Sequence, residues 1–210
     1  MKRNVDYTLY LVTDRRLSTK PLEEAVADAI RGGVTLVQLR EKEGDSGELY
    51  RRAVVMKKVT DAFGVPLIID DRADVMIAAG ADGVHVGQSD LPAEKVRAMI
   101  GPDKILGVSA GTVAEAVKAE QDGADYIGTG AMFPTATKTD ADLTSMAELA
   151  RICRAVSIPV VAIGGLRPDR MPLFQGTGIA GAAVVSAIIA ARDVRQAAEK
   201  MKEAVERIKM

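Results

Sequence analysis

The stretch Ala79-Gly80-Ala81-Asp82-Gly83-Val84 reads as the end of a helix that passes directly into a strand. Glycine at a helix end supplies the left-handed backbone turn that other residues resist, and an apolar, β-branched run after it suits a strand. The chain repeats this junction at Gly32-Gly33-Val34-Thr35-Leu36-Val37 and at Asp122-Gly123-Ala124-Asp125-Tyr126-Ile127. A recurring helix-to-strand junction with short connections implies parallel strands, because each strand must return by way of a helix.

Outward from these junctions, β-branched runs recur at 7–13, 35–41, 66–71, 83–87, 105–110, 126–130, 159–164 and 181–188. Several are continuously apolar, as strands buried on both faces are. Helical periodicity covers 21–31, 112–121, 143–156 and 194–208. In the first of these, Leu22, Ala25, Val26, Ala29 and Ile30 share one face; in the last, Ala197, Ala198, Met201, Ala204, Val205 and Ile208 do. Pro21 and Pro92 stand near helix starts, and Asp193 is placed to cap the last helix. Eight strand segments and about eight helical ones in 210 residues predict one α/β domain spanning 1–210, a (β/α)8 TIM barrel with parallel strands. The rival is an open doubly wound sheet. It would carry a glycine-rich turn after the first strand, where this chain has Thr13-Asp14-Arg15-Arg16.

Composition narrows the chemistry. Lys and Arg number 28 against 29 Asp and Glu, a net charge of -1, which argues against nucleic-acid binding through a basic face. One Cys and one His exclude an internal disulfide and a four-ligand Cys/His zinc site. Aromatics are only 3%, so the core must be built from aliphatic side chains and Met. Residues 1–6 are charged and lead into no long apolar segment, so no signal peptide is expected. The longest near-apolar run, 181–191, is far short of the ~20 residues of a membrane span. No membrane association and a cytoplasmic location are expected.

In a barrel of this kind the chemistry sits at the C-terminal ends of the strands. Alternation puts Gln38, Arg40 and Lys42 on one face at the end of the second strand. They read equally as an anion site or as a charged loop edge. Asp70 and Asp71 follow a buried apolar run, and Asp90 follows the next strand. Asp71 and Asp90 together suit a hard cation such as Mg2+, or each caps a helix. Ser109 ends the fifth strand as an anion donor or a turn hydroxyl. The hydroxyl-rich loop 133–139 around Lys138 reads as a lid or a solvated connector. Gly164-Gly165 and the end of the eighth strand occupy the places where such barrels hold phosphate. His85, alone within its strand, reads as a hydrogen-bonded interior residue, and Cys153 as packed core.

These stretches, in this order, resemble the thiamine-phosphate synthase family. The matching residues are Leu9–Arg15, Gln38–Lys42, Ile68–Arg72, Gly80–Asp90, Gly107-Val108-Ser109, Pro134–Lys138, Gly164-Gly165 and Val184–Ile188. They cover nearly the whole chain, and the Pro-Thr-x-Thr-Lys loop is the most specific. The resemblance implies a (β/α)8 barrel and a transferase that joins hydroxymethylpyrimidine diphosphate to a thiazole phosphate, carboxylated or not. Thiamine phosphate forms and pyrophosphate leaves. It implies a pyrimidine diphosphate site at Gln38, Leu39, Arg40, Glu41 and Lys42 with Asp70, Ser109 and Lys138. Of these, Lys138, Arg40, Lys42 and Ser109 would carry catalysis. It implies Mg2+ on Asp71 and Asp90, and a thiazole phosphate site at Thr135, Ala136, Thr137, Gly165, Val185 and Ser186. Partners are then small molecules, with a homo-oligomer left open.

The chain departs from the family pattern in places. Asp70 stands where most members have Asn, and an ionised Asp only accepts hydrogen bonds. Gly111 replaces a frequent His, Ala131-Met132 replaces a Pro-containing pair, and 176–181 departs from the usual Gly-Ala-Asp-Gly. Two other readings stand beside the synthase. One is a thiazole tautomerase-like paralogue, which needs no diphosphate site. The other is a non-catalytic barrel that binds a phosphorylated ligand.

Overall fold

The three repeated junctions close in one way in the computed structural model, which describes residues 5–135 and 142–209. Gly33, Gly80 and Gly123 take φ of 103°, 68° and 93°. The next residue in each case donates back to the last helical turn: Val34 to Ala29 O, Ala81 to Met76 O and Ala124 to Ala119 O, at 3.0–3.1 Å. The residue after that is Thr35, Asp82 or Asp125. Its side chain accepts the main-chain N–H of Leu9, Leu67 or Leu106 at 3.1, 2.9 and 2.8 Å. Its own N–H donates to the carbonyl of that same residue. Each junction therefore ends a helix and fixes the incoming strand beside its predecessor, which sets register.

The strands are β1 (Leu9–Val12), β2 (Leu36–Leu39), β3 (Leu67–Asp70), β4 (Gly83–Val86), β5 (Ile105–Ser109), β6 (Tyr126–Thr129), β7 (Val160–Ile163) and β8 (Gly181–Val184). They close into a barrel in chain order, with β8 pairing β1 and every pair parallel. Around them lie α1 (Leu22–Arg31), α2 (Ser46–Ala62), α3 (Ala73–Ala79), α4 (Ala93–Ile100), α5 (Val113–Gln121) and α6 (Met146–Ala155), then α7 (Ser186–Ile189) and α8 (Val194–Lys209). The expected (β/α)8 TIM barrel is the observed fold. Asp193 caps α8 as expected, its carboxylate accepting from Gln196 N at 2.9 Å.

Two segments differ from the sequence reading. The run 181–188 is strand only to Val184, and Ser186–Ile189 is helical. An Ala/Val/Ile run fits a buried helix as well as a strand, so periodicity could not divide it. Between β7 and β8 the chain forms a 3-10 stretch, Pro168–Phe174, in place of an α-helix. Pro172 inside it has no N–H to continue an α-helical ladder. No helix among the described residues is long and apolar enough to cross a membrane.

Strand alternation splits the core in two. Leu9, Leu11, Val37, Leu39, Leu67 and Ile69 face outward and pack under the helices. Tyr7, Tyr10, Val12, Leu36, Ile68, Ile105, Tyr126, Val161 and Ala183 fill the barrel. Three of the four tyrosines are thus spent inside the barrel. Gly107 on β5 makes room for one of them, since a Cβ there would lie 2.1 Å from the Tyr126 ring.

Candidate active site

The C-terminal strand ends surround a cavity of about 1210 Å³. Gln38, Arg40, Lys42, Asp70, Asp71, Asp90, Ser109, Thr135, Gly165, Val185 and Ser186 all line it. Leu39 and Glu41 do not. Leu39 is fully buried in the outer core, and the Glu41 carboxylate lies 3.5 Å from Arg15 on the other side of the strand. Alternation that brings 38, 40 and 42 inward turns 39 and 41 away, so the five-residue stretch contributes three side chains. Ala136, Thr137 and Lys138 lie outside the described residues.

Lys42 joins the acids. Its ammonium bridges Asp70, at 2.7 Å, and Asp71. Arg40 Nε stands 3.8 Å from the same Asp70 oxygen. That oxygen, Oδ2, is buried, and among the described residues its partners are these two cations. Burial pushes the Asp70 carboxyl above its ordinary value, against the pull of Lys42 and Arg40. Burial on its own would lower Lys42; Asp70 and Asp71 outweigh it and hold the ammonium above its ordinary value. Asp71 sits at φ 58°, the one non-glycine residue at positive φ among those described. Its N–H donates to His85 O at 2.8 Å, which ties the end of β3 to β4.

Asp90 is held differently. Its Oδ2 accepts Gly87 N–H at 2.7 Å, which closes the turn after β4 and orients the carboxylate. Neither Asp71 nor Asp90 caps the helix that follows it; Arg72 and Pro92 stand at those positions. Among the described residues no group of three or more His, Cys, Asp or Glu is placed to hold a metal ion. Two carboxylates alone fit a hard cation that takes its remaining ligands from water and phosphate oxygens.

On the opposite wall, Gly164 and Gly165 take φ of 102° and 62°. Phe133 N donates to Gly164 O at 3.1 Å, and Met132 N to Ile163 O at 2.9 Å. Ala131 is bonded in both directions across 136–141, to Asp142 O and from Thr144 N. The chain on either side of the Pro-Thr-x-Thr-Lys loop is therefore anchored at the cavity mouth, where Thr135 lies.

Sequence reasoning missed several lining residues. Arg170 donates to Gly165 O at 2.5 Å and stacks over the Phe133 ring at 4.5 Å, and Arg167 lies beside it. The two arginines stand shortly after the glycine pair that follows β7, which was the available signal. Tyr10 also lines the floor, and His85 turns inward to reach Ser109.

A family profile described as thiamine monophosphate synthase matches residues 9–188. The thiamine-phosphate synthase of Ruminiclostridium cellulolyticum is 59% identical over 97% of each chain. That of Clostridium botulinum is 55% identical over 99% of this chain and 98% of its own. The solved structure of a thiamine phosphate pyrophosphorylase from Pyrococcus furiosus superposes with a TM-score of 0.89 at 40% identity, covering 97% of both chains. The chain belongs to the thiamine monophosphate synthase family and is a transferase.

Proposed function

We propose that this barrel, acting as one catalytic domain in the cytoplasm, joins hydroxymethylpyrimidine diphosphate to 4-methyl-5-(2-phosphoethyl)thiazole, or its carboxylated form. The products are thiamine phosphate and pyrophosphate, and from the carboxylated thiazole CO2 as well. One observation carries the reading: a single cavity has a wall of cations and carboxylates on β2–β4 and a glycine-lined wall on β7–β8. Two phosphorylated substrates can face each other across it.

The C–O bond to pyrophosphate breaks first and leaves a pyrimidine-stabilised carbocation, which the thiazole nitrogen then attacks. That nitrogen carries no proton, so no general base is required, consistent with a single His in the chain. Arg40, Lys42 and Lys138 stabilise the charge that grows on the departing diphosphate. Asp71 and Asp90 would hold Mg2+, which when bound neutralises that same charge. Ser109 donates to the diphosphate. Gly165, Val185 and Ser186, with Thr135, Ala136 and Thr137, take the thiazole phosphate, and the loop keeps water from the cation.

The test is pyrophosphate release from the two substrates with and without Mg2+. Release that depends on both substrates and on the metal supports the reading. Turnover of the thiazole phosphate alone, without release, points to a tautomerase; binding without product points to a non-catalytic barrel. Lys138→Ala should lower kcat by about 10²–10³, the usual effect of removing one donor to developing negative charge. Near wild-type turnover would remove Lys138 from the mechanism.

A further inference from the structure

Gln38 on β2 and Ser109 on β5 are joined through the barrel interior by an unbroken chain of hydrogen bonds. Gln38 Nε2 donates to the Tyr10 hydroxyl at 2.7 Å, and the Tyr10 and Tyr126 hydroxyls lie 2.8 Å apart. His85 Nδ1 is 3.0 Å from the Tyr126 hydroxyl, and His85 Nε2 is 2.9 Å from Ser109 Oγ. The two phenols are almost completely buried, so each oxygen and each proton needs a partner inside the protein. Phenylalanines would fill the same space without that demand.

The chain has a direction. The Gln38 amide nitrogen only donates, so Tyr10 receives from it and must place its own single proton on Tyr126. Tyr126 then gives its proton to His85 Nδ1, which puts the imidazole proton on Nε2, toward Ser109. With the Gln38 amide in this orientation, any other order strands a buried phenol proton without an acceptor. Ser109 already accepts, so its own proton points out of the chain, and the Gln38 carbonyl oxygen is left to accept at the other end. Reversing the amide reverses every link, so the two ends cannot be set separately.

We propose that Tyr10, Tyr126 and His85 are positioning residues that fix the Gln38 amide and the Ser109 hydroxyl in one coupled orientation, with Ser109 donating to an anionic group and Gln38 accepting from an amino group. This rests on the reading above, because an aminopyrimidine diphosphate offers that pair: an amino donor at one end and phosphate acceptors at the other. Burial pushes both phenols up from their ordinary value, which keeps them protonated and able to donate.

The single histidine gives a test that does not depend on activity. Nitrogen-15 NMR of the labelled protein should show His85 as the neutral Nε2–H tautomer. In Tyr126→Phe, which removes one oxygen and keeps the ring, the tautomer preference should fall. An Nδ1–H tautomer or a doubly protonated ring at neutral pH overturns the proposal even if pyrophosphate release is normal. Kinetics supply the second arm. Tyr126→Phe should raise KM for the pyrimidine diphosphate by about 10-fold, the worth of one hydrogen bond to a charged group, and leave KM for the thiazole phosphate unchanged. Ser109→Ala should then cost much less in the Tyr126→Phe background than in the wild type. Equal Ser109→Ala losses in both backgrounds overturn the coupling. Tyr10→Phe breaks the next link and must give the same pattern, which protects the test if one variant folds poorly. Absence of pyrophosphate release in the wild type would instead defeat the functional reading and leave the tautomer result standing.

Discussion

The two rims of the barrel treat polar groups in opposite ways. At the N-terminal rim, Asp82 and Asp125 take the N–H groups of Leu67 and Leu106. Arg97 then ties Asp125 to the carbonyls of Gly101, Lys104 and Gly123. Those carboxylates have directed donors on fixed backbone. At the C-terminal rim Asp90 takes the N–H of Gly87, but Asp70 and Asp71 have side-chain cations as their charge partners among the described residues, and Asp71 holds a left-handed backbone. The first rim satisfies its charges with its own chain. The second keeps cations and carboxylates poised around a cavity that a charged substrate can enter. Stability and function are thus divided along the strand axis, and equivalent substitutions at the two rims should separate them.

The largest effect is expected at Arg40. Its side chain is mostly buried, and the proposed function has it meet charge on the leaving group. Arg40→Ala should lower kcat by about 10²–10³, or ~2.7–4 kcal/mol of transition-state stabilisation. Asp70 retains Lys42, so the melting temperature should move little. Pyrophosphate-release kinetics beside a thermal melt check both halves. A large drop in melting temperature would mean that Arg40 is structural and that the division between rims is wrong.

The next two predictions make one chemical change at each rim. Asp125→Asn removes a charge that Arg97 and Leu106 N–H both use, and should destabilise by about 1.5–3 kcal/mol with kcat unchanged. Asp70→Asn removes a charge that burial disfavours, since the carboxyl is held above its ordinary value in the fold, and should raise stability slightly at neutral pH. It also places at 70 the residue usual in the family, so turnover should survive. Denaturant unfolding of the two variants against the wild type reads the signs. Loss of stability in both would show that the C-terminal rim carries no stored cost at Asp70.

The fold was legible because its signal is repeated and local. The glycine, the small apolar residue and the polar residue of the junction each have one backbone job, and the three copies do it alike. Gln38, Arg40 and Lys42 were legible for a related reason, since alternation along a strand decides which side chains meet. The same rule turns the side chains of Leu39 and Glu41, which the family resemblance alone included, away from the cavity. The Tyr10–Tyr126–His85 chain was not legible. Its members lie 116 and 41 residues apart in sequence and meet only because β1, β4 and β6 face one another across a closed barrel. The helical turn at 186–189 was hidden for another reason: Ala and Ile suit either state, and only burial on the barrel end decides between them.

The smallest effects are expected from placing alanine at one left-handed glycine on each rim. Gly80 has φ 68° and nothing within 4 Å of where a Cβ would stand. Gly80→Ala should therefore show backbone strain alone, about 1 kcal/mol of stability, with both KM values unchanged. Gly165 has nearly the same φ, 62°, but its Cβ would meet Phe133 Cβ at 2.9 Å and Pro134 O at 3.0 Å. The backbone strain is alike and the collision adds to it, so the loss of stability should be larger than at Gly80. The collision falls on the chain that leads into the Pro-Thr-x-Thr-Lys loop, so KM for the thiazole phosphate should rise severalfold while KM for the pyrimidine diphosphate holds. Steady-state kinetics with each substrate varied in turn, beside thermal melts, separate the two cases. If Gly165→Ala raises both KM values equally, the β7 glycines shape the whole cavity, and the two walls are not independent.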